Sequence, residues 1–290
     1  MIKTITPSDL SPMEMQAYLQ GAVAPRPIAF ASTVDEQGNP NLSPFSFFNI
    51  FSANPPILVF SPARRVRDTT KKHTLINCEN TREVVINVVN YAIVQQMSLS
   101  STEYPEGINE FEKAGLTMLK SDVVKPFRVA ESPVQFECKV NEIIPLGEKA
   151  GAGNLVICEV VKMHIDTEIL NELGVIDPVK IDLVSRLGAN WYSRSKDGLF
   201  EAIKPLTTLG IGVDSIPEHI KKCGIFDGNN LGKLGNIEHL PTSEEINIFV
   251  ANNFEIKAVL SGDDVLKKYQ LAKNYLEKEE VLTAWKVLLA

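Results

Sequence analysis

Hydroxyl, amide and basic side chains gather in one part of this chain beside a run of aromatic rings, a pairing that suits a flat, heteroatom-edged ligand. The stretch 25–62, PRPIAFASTVDEQGNPNLSPFSFFNIFSANPPILVFSP, holds small polar residues, turns and apolar strand runs at a density unmatched elsewhere. Within it, Asn41, Ser43, Ser46 and Asn49 alternate with Phe45, Phe47 and Phe48, and Pro44 keeps the backbone extended or turning instead of helical. Strand alternation lets only some of the three rings face a ligand, so Phe45 is expected inside and Phe47 or Phe48 near the ligand. A basic loop, Ser61-Pro62-Ala63-Arg64-Arg65-Val66-Arg67-Asp68, follows directly on the apolar run Ile57-Leu58-Val59-Phe60. Its place at the end of a buried strand sets it apart from an ordinary solvated loop.

Other chemistries find little footing. Gly151-Ala152-Gly153 begins like a dinucleotide fingerprint, but Val156 stands where the third glycine belongs and an extended run follows where a helix should start. In 228–233 the glycines are too close for a phosphate loop, and Leu234 replaces its metal-binding Ser or Thr. His73, His164, His219 and His239 show no metal-ligand spacing with one another or with cysteine, so no metal is predicted and His164 reads as structural. Without a nucleophile elbow or an acid pair, any chemistry falls to a bound cofactor, and no catalytic side chain is predicted. A net charge of -7 and a pI near 5.3 argue against nucleic acid. The absence of a long apolar run or a signal-like start argues against a membrane and for the cytoplasm. The 4 cysteines are widely spaced, as buried free thiols would be.

The elements that must position these residues follow from patterning. A strand over 28–33 leads into the turn Asp35-Glu36-Gln37-Gly38, and Asn54-Pro55-Pro56 makes a second turn before the strand 57–60. Helical spacing over 72–79, 92–99 and 109–114 alternates with strands over 83–89, 134–140 and 155–165, the last long enough to bend across a barrel corner, and 100–107 reads as a loop. Strand signals joined by hairpin-like turns with helices inserted favour a mainly β antiparallel barrel over a doubly wound sheet. Composition shifts near Lys204-Pro205, which divides a barrel domain, 1–204, from a helical C-terminal extension, 205–290. In that extension Ser215 to Glu218 and Thr242 to Glu245 have capping-box spacing. Val265, Tyr269, Ala272 and Leu276 share one helix face, and Val281, Leu282, Trp285, Leu288 and Leu289 a second.

Taken in order, PRPIAFAST, NLSPFSFFN, the NPP turn and Glu131-Ser132-Pro133 resemble the flavin reductase-like family with the FMN-binding split barrel, over roughly residues 20–195. Further matches are Lys72-His73-Thr74 with Asn77, where the family often has Lys-Asp-Thr, then Asn109-Glu110-Phe111 with Ala114-Gly115-Leu116, and Arg186-Leu187-Gly188 with Tyr192. The resemblance implies a homodimer that binds FMN near the subunit interface, its ring along 41–49. Position by position, it implies that Ser32 and Thr33 line the flavin and that Asn41, Ser43, Ser46, Phe47, Phe48 and Asn49 meet the ring edge. Ser61, Arg64, Lys72 and Thr74 would meet the phosphate or ribityl chain. Arg186 and Tyr192 would either close over flavin or substrate or pack the barrel against the extension. The implied activity is an NAD(P)H-dependent flavin reductase, with NADH or NADPH as a transient hydride donor to a small-molecule flavin or other acceptor. The alternative is a non-catalytic FMN-binding electron carrier or interaction module, which the fold alone does not separate from it.

Overall fold

The computed structural model describes residues 1–105, 107–260 and 264–290, so Glu106 of the expected loop lies outside the described residues. The chain divides into two units, Met1–Phe200 and Glu201–Ala290.

In the first unit, helix α1 (Pro12–Ala22) starts under a full capping box, Ser11 accepting from the Glu14 N–H while the Glu14 carboxylate takes the Ser11 N–H. The strands β1 (Ala29–Val34), β2 (Pro40–Phe45), β3 (Phe48–Ala53) and β4 (Pro56–Phe60) follow, then α2 (His73–Thr81) and β5 (Glu83–Val88). Helices α3 (Val94–Leu99) and α4 (Glu110–Ala114) precede two short strands, β6 (Met118–Leu119) and β7 (Arg128–Val129). Two long strands, β8 (Val134–Pro145) and β9 (Asn154–Ile165), and a small hairpin, β10 (Val184–Arg186) with β11 (Tyr192–Arg194), complete the unit.

Seven strands form one antiparallel sheet in the order β2-β1-β5-β8-β9-β4-β3. Its two edges, β2 and β3, are consecutive in the chain and separated only by Ser46 and Phe47, so the sheet must roll on itself. The rings of Phe45 on β2 and Phe60 on β4 lie 5.5 Å apart across the enclosed core. The result is the antiparallel split β-barrel with inserted helices that the patterning predicts. Register shifts at Glu137/Cys138 and Val140/Glu142 bend the β8 and β9 pair.

Both faces of β1 are covered, and all six of its residues, Ser32 and Thr33 included, are buried. Ala29 and Ala31 face the barrel core with Phe45, Phe60, Leu75 and Ile86. Ile28 and Phe30 face outward onto Leu42, Met97 and Phe111, where α3 and α4 cover the sheet. Three thiols sit in the barrel core, and burial pushes Cys78 up to about 12 and raises Cys138 and Cys158 further. The folded protein should therefore give about one rapidly reacting thiol, the half-buried Cys223, and all four only after unfolding. Rapid labelling of Cys78, Cys138 or Cys158 in the native protein, read by mass spectrometry, would contradict this packing.

The second unit is helical: α5 (Glu218–Lys221), α6 (Gly228–Gly235), α7 (Ser243–Asn252), α8 (Phe254–Leu260), α9 (Val265–Glu277) and α10 (Val281–Leu289). Its core closes on Trp285, whose Nε1 donates to the Leu234 carbonyl at 2.9 Å, with Ile216, Ile220 and Leu276 around it. The Thr242–Glu245 capping box forms as expected. The Ser215 box does not: Ser215 belongs to a 3-10 turn, and α5 starts after Pro217 without a side-chain cap. The buried stripes also run differently at their ends. Tyr269, Ala272 and Leu276 are buried but Val265 is 54% exposed, and α10 turns Ala284, Trp285 and Leu288 inward while Leu282 stays 56% exposed. Among the described residues no helix is long and apolar enough to cross a membrane.

Candidate functional site

The β1/β2 register pairs Thr33 with Asn41, so their side chains share a face. Asn41 Nδ2 donates to Thr33 Oγ1 at 3.2 Å and to Thr74 Oγ1 at 2.9 Å, and Asn77 Nδ2 donates to Thr33 Oγ1 at 3.0 Å. Three of the residues singled out from sequence, Thr33, Asn41 and Thr74, thus meet in one buried network, which fastens the first turn of α2 to the sheet. Lys72 is the residue that caps that turn, so the network also fixes where its side chain starts. Ser32 faces the opposite side of β1 and is wholly buried. Among the described residues, Ser32 Oγ, Arg64 Nε and Asn90 Oδ1 are buried without a hydrogen-bond partner.

Beside α2 opens a cavity of about 510 Å³. Met15 and Leu19 of α1 and Phe47 give it apolar lining, and Arg64, Arg65, Arg67, Lys72 and Glu103 give it charged lining. Arg64 is anchored through its backbone, its N–H donating to Ala152 at 2.9 Å and its carbonyl accepting from Gly151 at 3.2 Å. One guanidinium nitrogen donates to the Thr69 carbonyl at 3.3 Å, which leaves Nε free. Lys72 Nζ stands 5.4 Å from the Phe45 ring centroid and, among the described residues, pairs with no carboxylate. Burial, and next the charge of Arg65, hold this ammonium below the ordinary lysine value, while Glu103 acts in the opposite sense.

Of the remaining sequence-derived positions, Phe47 lines this cavity and Asn41 lines a separate, smaller space; the others line neither. Ser61 is half-buried and its N–H donates to the Phe47 carbonyl at 2.8 Å, so it holds Phe47 at the cavity wall. Gly153 packs so closely that a Cβ there would lie 2.6 Å from Ser61 Oγ. Phe45 is buried in the core, Phe47 is exposed at the cavity, and Phe48 is half-buried against the barrel. Ser43 is half-buried opposite Ala31, Ser46 accepts from Arg26 Nε at 3.4 Å, and exposed Asn49 accepts from the Ile50 N–H at 2.8 Å. Arg186 and Tyr192 are not lining residues of this cavity. The Arg186 guanidinium lies 4.7 Å from the Tyr192 ring, and Tyr192 lines a separate space of about 170 Å³ with Tyr91 and Arg194. His73 and the buried Glu110 line a third, of about 60 Å³; burial raises the Glu110 carboxyl, which accepts from the Leu42 N–H at 3.0 Å.

Arg26 is a positioning residue that reading the sequence missed. It is 6% exposed, and its guanidinium donates to the carbonyls of Gln20 at 2.5 Å, Val23 at 2.7 Å and Leu187 at 3.0 Å. It therefore ties the end of α1, a wall of the cavity, to β1 and to Ser46. Its flanking prolines in an apolar stretch were the available signal. Asn154, also missed, donates to the Pro62 carbonyl at 2.9 Å and fixes the chain just before Arg64.

Asp122, Glu137 and His164 also bring ligand-type atoms together. Glu137 is fully buried and accepts from the N–H groups of Asp122, Val123 and Val124 at 2.8, 2.7 and 3.2 Å, and its carboxylate meets His164 Nε2 at 2.7 Å. Asp122 pairs with Lys162. These bonds fasten the 122–124 segment across β8 and β9.

The fold is an antiparallel split β-barrel with a cavity lined by both apolar and charged side chains. Residues 22–180 match the flavin reductase like domain, and the chain belongs to that family. It is 38% identical to an uncharacterized protein from Halalkalibacterium halodurans over 192 residues, covering 66% of this chain and 91% of the relative. Nitrilotriacetate monooxygenase component B from Bacillus cereus is similar in structure, with a TM-score of 0.64 and 29% identity over 70% of this chain and 98% of that one. The 2-nitrobenzoate 2-nitroreductase of Pseudomonas fluorescens has a TM-score of 0.60 and 27% identity, with coverages of 70% and 98%.

Proposed function

We propose that this chain is an FMN-binding oxidoreductase that takes hydride from NADH or NADPH. The observation that carries the reading is the pair Arg64 and Lys72, two cations without carboxylate partners among the described residues, at a cavity that also has apolar lining. A phosphomonoester carries about -1.5 to -2 charges at neutral pH, which these two cations balance. The buried, unpartnered Arg64 Nε has the donor that such a phosphate accepts.

Arg64 and Lys72 hold the phosphate in this reading, with Ser61 beside them. Thr74 accepts from Asn41 through its oxygen and so keeps its own O–H to donate toward the phosphate or ribityl chain. Phe47 and Phe48 supply apolar contact for the ring and exclude water, while Ser43, Ser46 and Asn49 present polar groups to its edge. Ser32 and Thr33, wholly buried in the single chain, act through the placement of β1 and, for Thr33, through its hold on Asn41 and Asn77. When bound, FMN supplies the hydride acceptor, and the protein contributes orientation without a side-chain acid. The similarity to a nitroreductase and to a monooxygenase component supports a redox role.

The homodimer belongs to the same proposal. The edge strand β3 exposes Ile50 and Phe51, at 64% and 68%, directly after the ring-facing segment, and a second copy covering them would close that side of the site. The deciding experiment is the visible spectrum of the purified protein before and after anaerobic NADH and NADPH. Bleaching of a yellow protein is expected. A yellow protein indifferent to both donors would favour the electron carrier, and a colourless one that refuses added FMN would contradict flavin binding.

A further inference from the structure

Among the described residues, Glu103 is the carboxylate that lines the cavity of Arg64 and Lys72. One of its oxygens lies 3.3 Å from Arg65 Nε and the other 3.2 Å from Arg67. The four cations therefore fall into two pairs. Arg64 and Lys72 are uncompensated. Arg65 and Arg67 share Glu103, Arg67 also meets Asp68 at 3.1 Å, and Arg65 Nη1 donates to Thr70 Oγ1 at 3.0 Å and to the Lys71 carbonyl at 2.7 Å. Lys72 feels the charges of both Arg65 and Glu103, so the two pairs stand within Coulomb range of each other.

We infer that Glu103 makes this cavity selective for a flavin that ends in a single phosphate, FMN, against one that continues into a second phosphate, FAD. The inference rests on the flavin reading above. A terminal phosphomonoester concentrates nearly two negative charges on one group, which Arg64 and Lys72 balance together. In a dinucleotide the same phosphorus becomes a diester with one charge, and the second phosphate, directly bonded through oxygen, carries another. That second charge needs its own cation. The charges of the adjoining Arg65 and Arg67 are already offset by Glu103 and Asp68, so the second phosphate finds no uncompensated cation there and meets the like charge of Glu103. Glu103 thus acts by repulsion, as a specificity element that leaves the FMN contacts untouched.

The test is the dissociation constants of FMN, FAD and riboflavin, measured by flavin fluorescence on the flavin-free full chain and on two variants. The wild type should bind FMN at least about tenfold tighter than FAD. Glu103→Gln, which keeps the size of the side chain and removes its charge, should narrow the FMN-to-FAD ratio by about fivefold, by tightening FAD and leaving riboflavin unchanged. Arg67→Gln, at a side chain 70% exposed, leaves the Glu103 charge less neutralised and should widen the ratio. Opposite shifts from two neighbouring variants exclude a general loosening of the loop. A ratio that is unity in the wild type, unchanged in Glu103→Gln, or moved the same way by both variants would overturn the inference. Failure of FMN itself to bind the wild type would overturn the flavin reading instead.

Discussion

Replacing Arg64 and Lys72 together with alanine is expected to weaken FMN binding by roughly 10²–10⁴-fold, since each charge-assisted bond contributes about 1.5–3 kcal/mol. Riboflavin, which lacks the phosphate, should change by less than about threefold, because the apolar lining of Met15, Leu19 and Phe47 is untouched. Parallel titrations of the two flavins measure this directly. Equal weakening of both would mean that the variant damaged the cavity as a whole, and unchanged FMN affinity would place the phosphate elsewhere. The pH profile gives the same site a second signature. Burial holds the Lys72 ammonium below the ordinary lysine value, so raising the pH discharges it early and FMN affinity falls on the alkaline side. Lys72→Arg should remove that alkaline limb, because a guanidinium stays charged. On the acid side affinity should fall as the phosphate dianion takes up a proton near about pH 6.

Glu137→Ala is the substitution expected to cost the fold most, about 3–5 kcal/mol in chemical unfolding. It would strip three N–H groups and His164 of their acceptor at once. Glu137→Gln should fall between, since a carboxamide accepts through one oxygen only. Burial pushes the Glu137 carboxyl up, but the backbone N–H groups and His164 outweigh it, and the net shift is downward. A carboxyl held lower in the fold than in the open chain stabilises above its unfolded-state value, and that contribution disappears as the pH falls through the folded value. The difference between wild type and Glu137→Ala should therefore shrink in acid. An alanine variant within about 1 kcal/mol of wild type at neutral pH would show that the 122–124 segment does not depend on this bracket.

Much of the barrel was legible because its strands state their burial in the chain itself. Ile57 to Phe60 reads as an unbroken apolar run and ends buried, whereas β8 alternates in sequence although Gln135 and Glu137 on its polar face are buried as well. The turn residues near Asp35 and at Asn54-Pro55-Pro56 marked where strands end. The helix caps were less legible: Ser11 and Thr242 form boxes, whereas Ser215, with the same spacing, sits in a different turn. Spacing states what a side chain can reach, and the backbone around it decides whether it does.

Motif order singled out Arg64 and Lys72, but the sequence does not show which cations are already engaged. Arg65 and Arg67 stand in the same loop and differ from Arg64 only in their partners, Thr70, Lys71, Asp68 and Glu103. Arg26 was hidden for the opposite reason, because its partners are main-chain carbonyls, which carry no residue signature. Arg186 and Tyr192 lie next to each other, and Tyr192 lines a space with Tyr91 and Arg194 instead of the cavity that holds Arg64 and Lys72.

The central claim is that Arg64 and Lys72 hold the phosphate of FMN as a dianion. Phosphorus NMR of FMN bound to the full chain, followed from acid to neutral pH, reports the ionisation of that group. The phosphate should remain a dianion well below the free value of about 6, because two uncompensated cations favour the charged form. A bound phosphate that titrates as it does in free FMN would contradict the account.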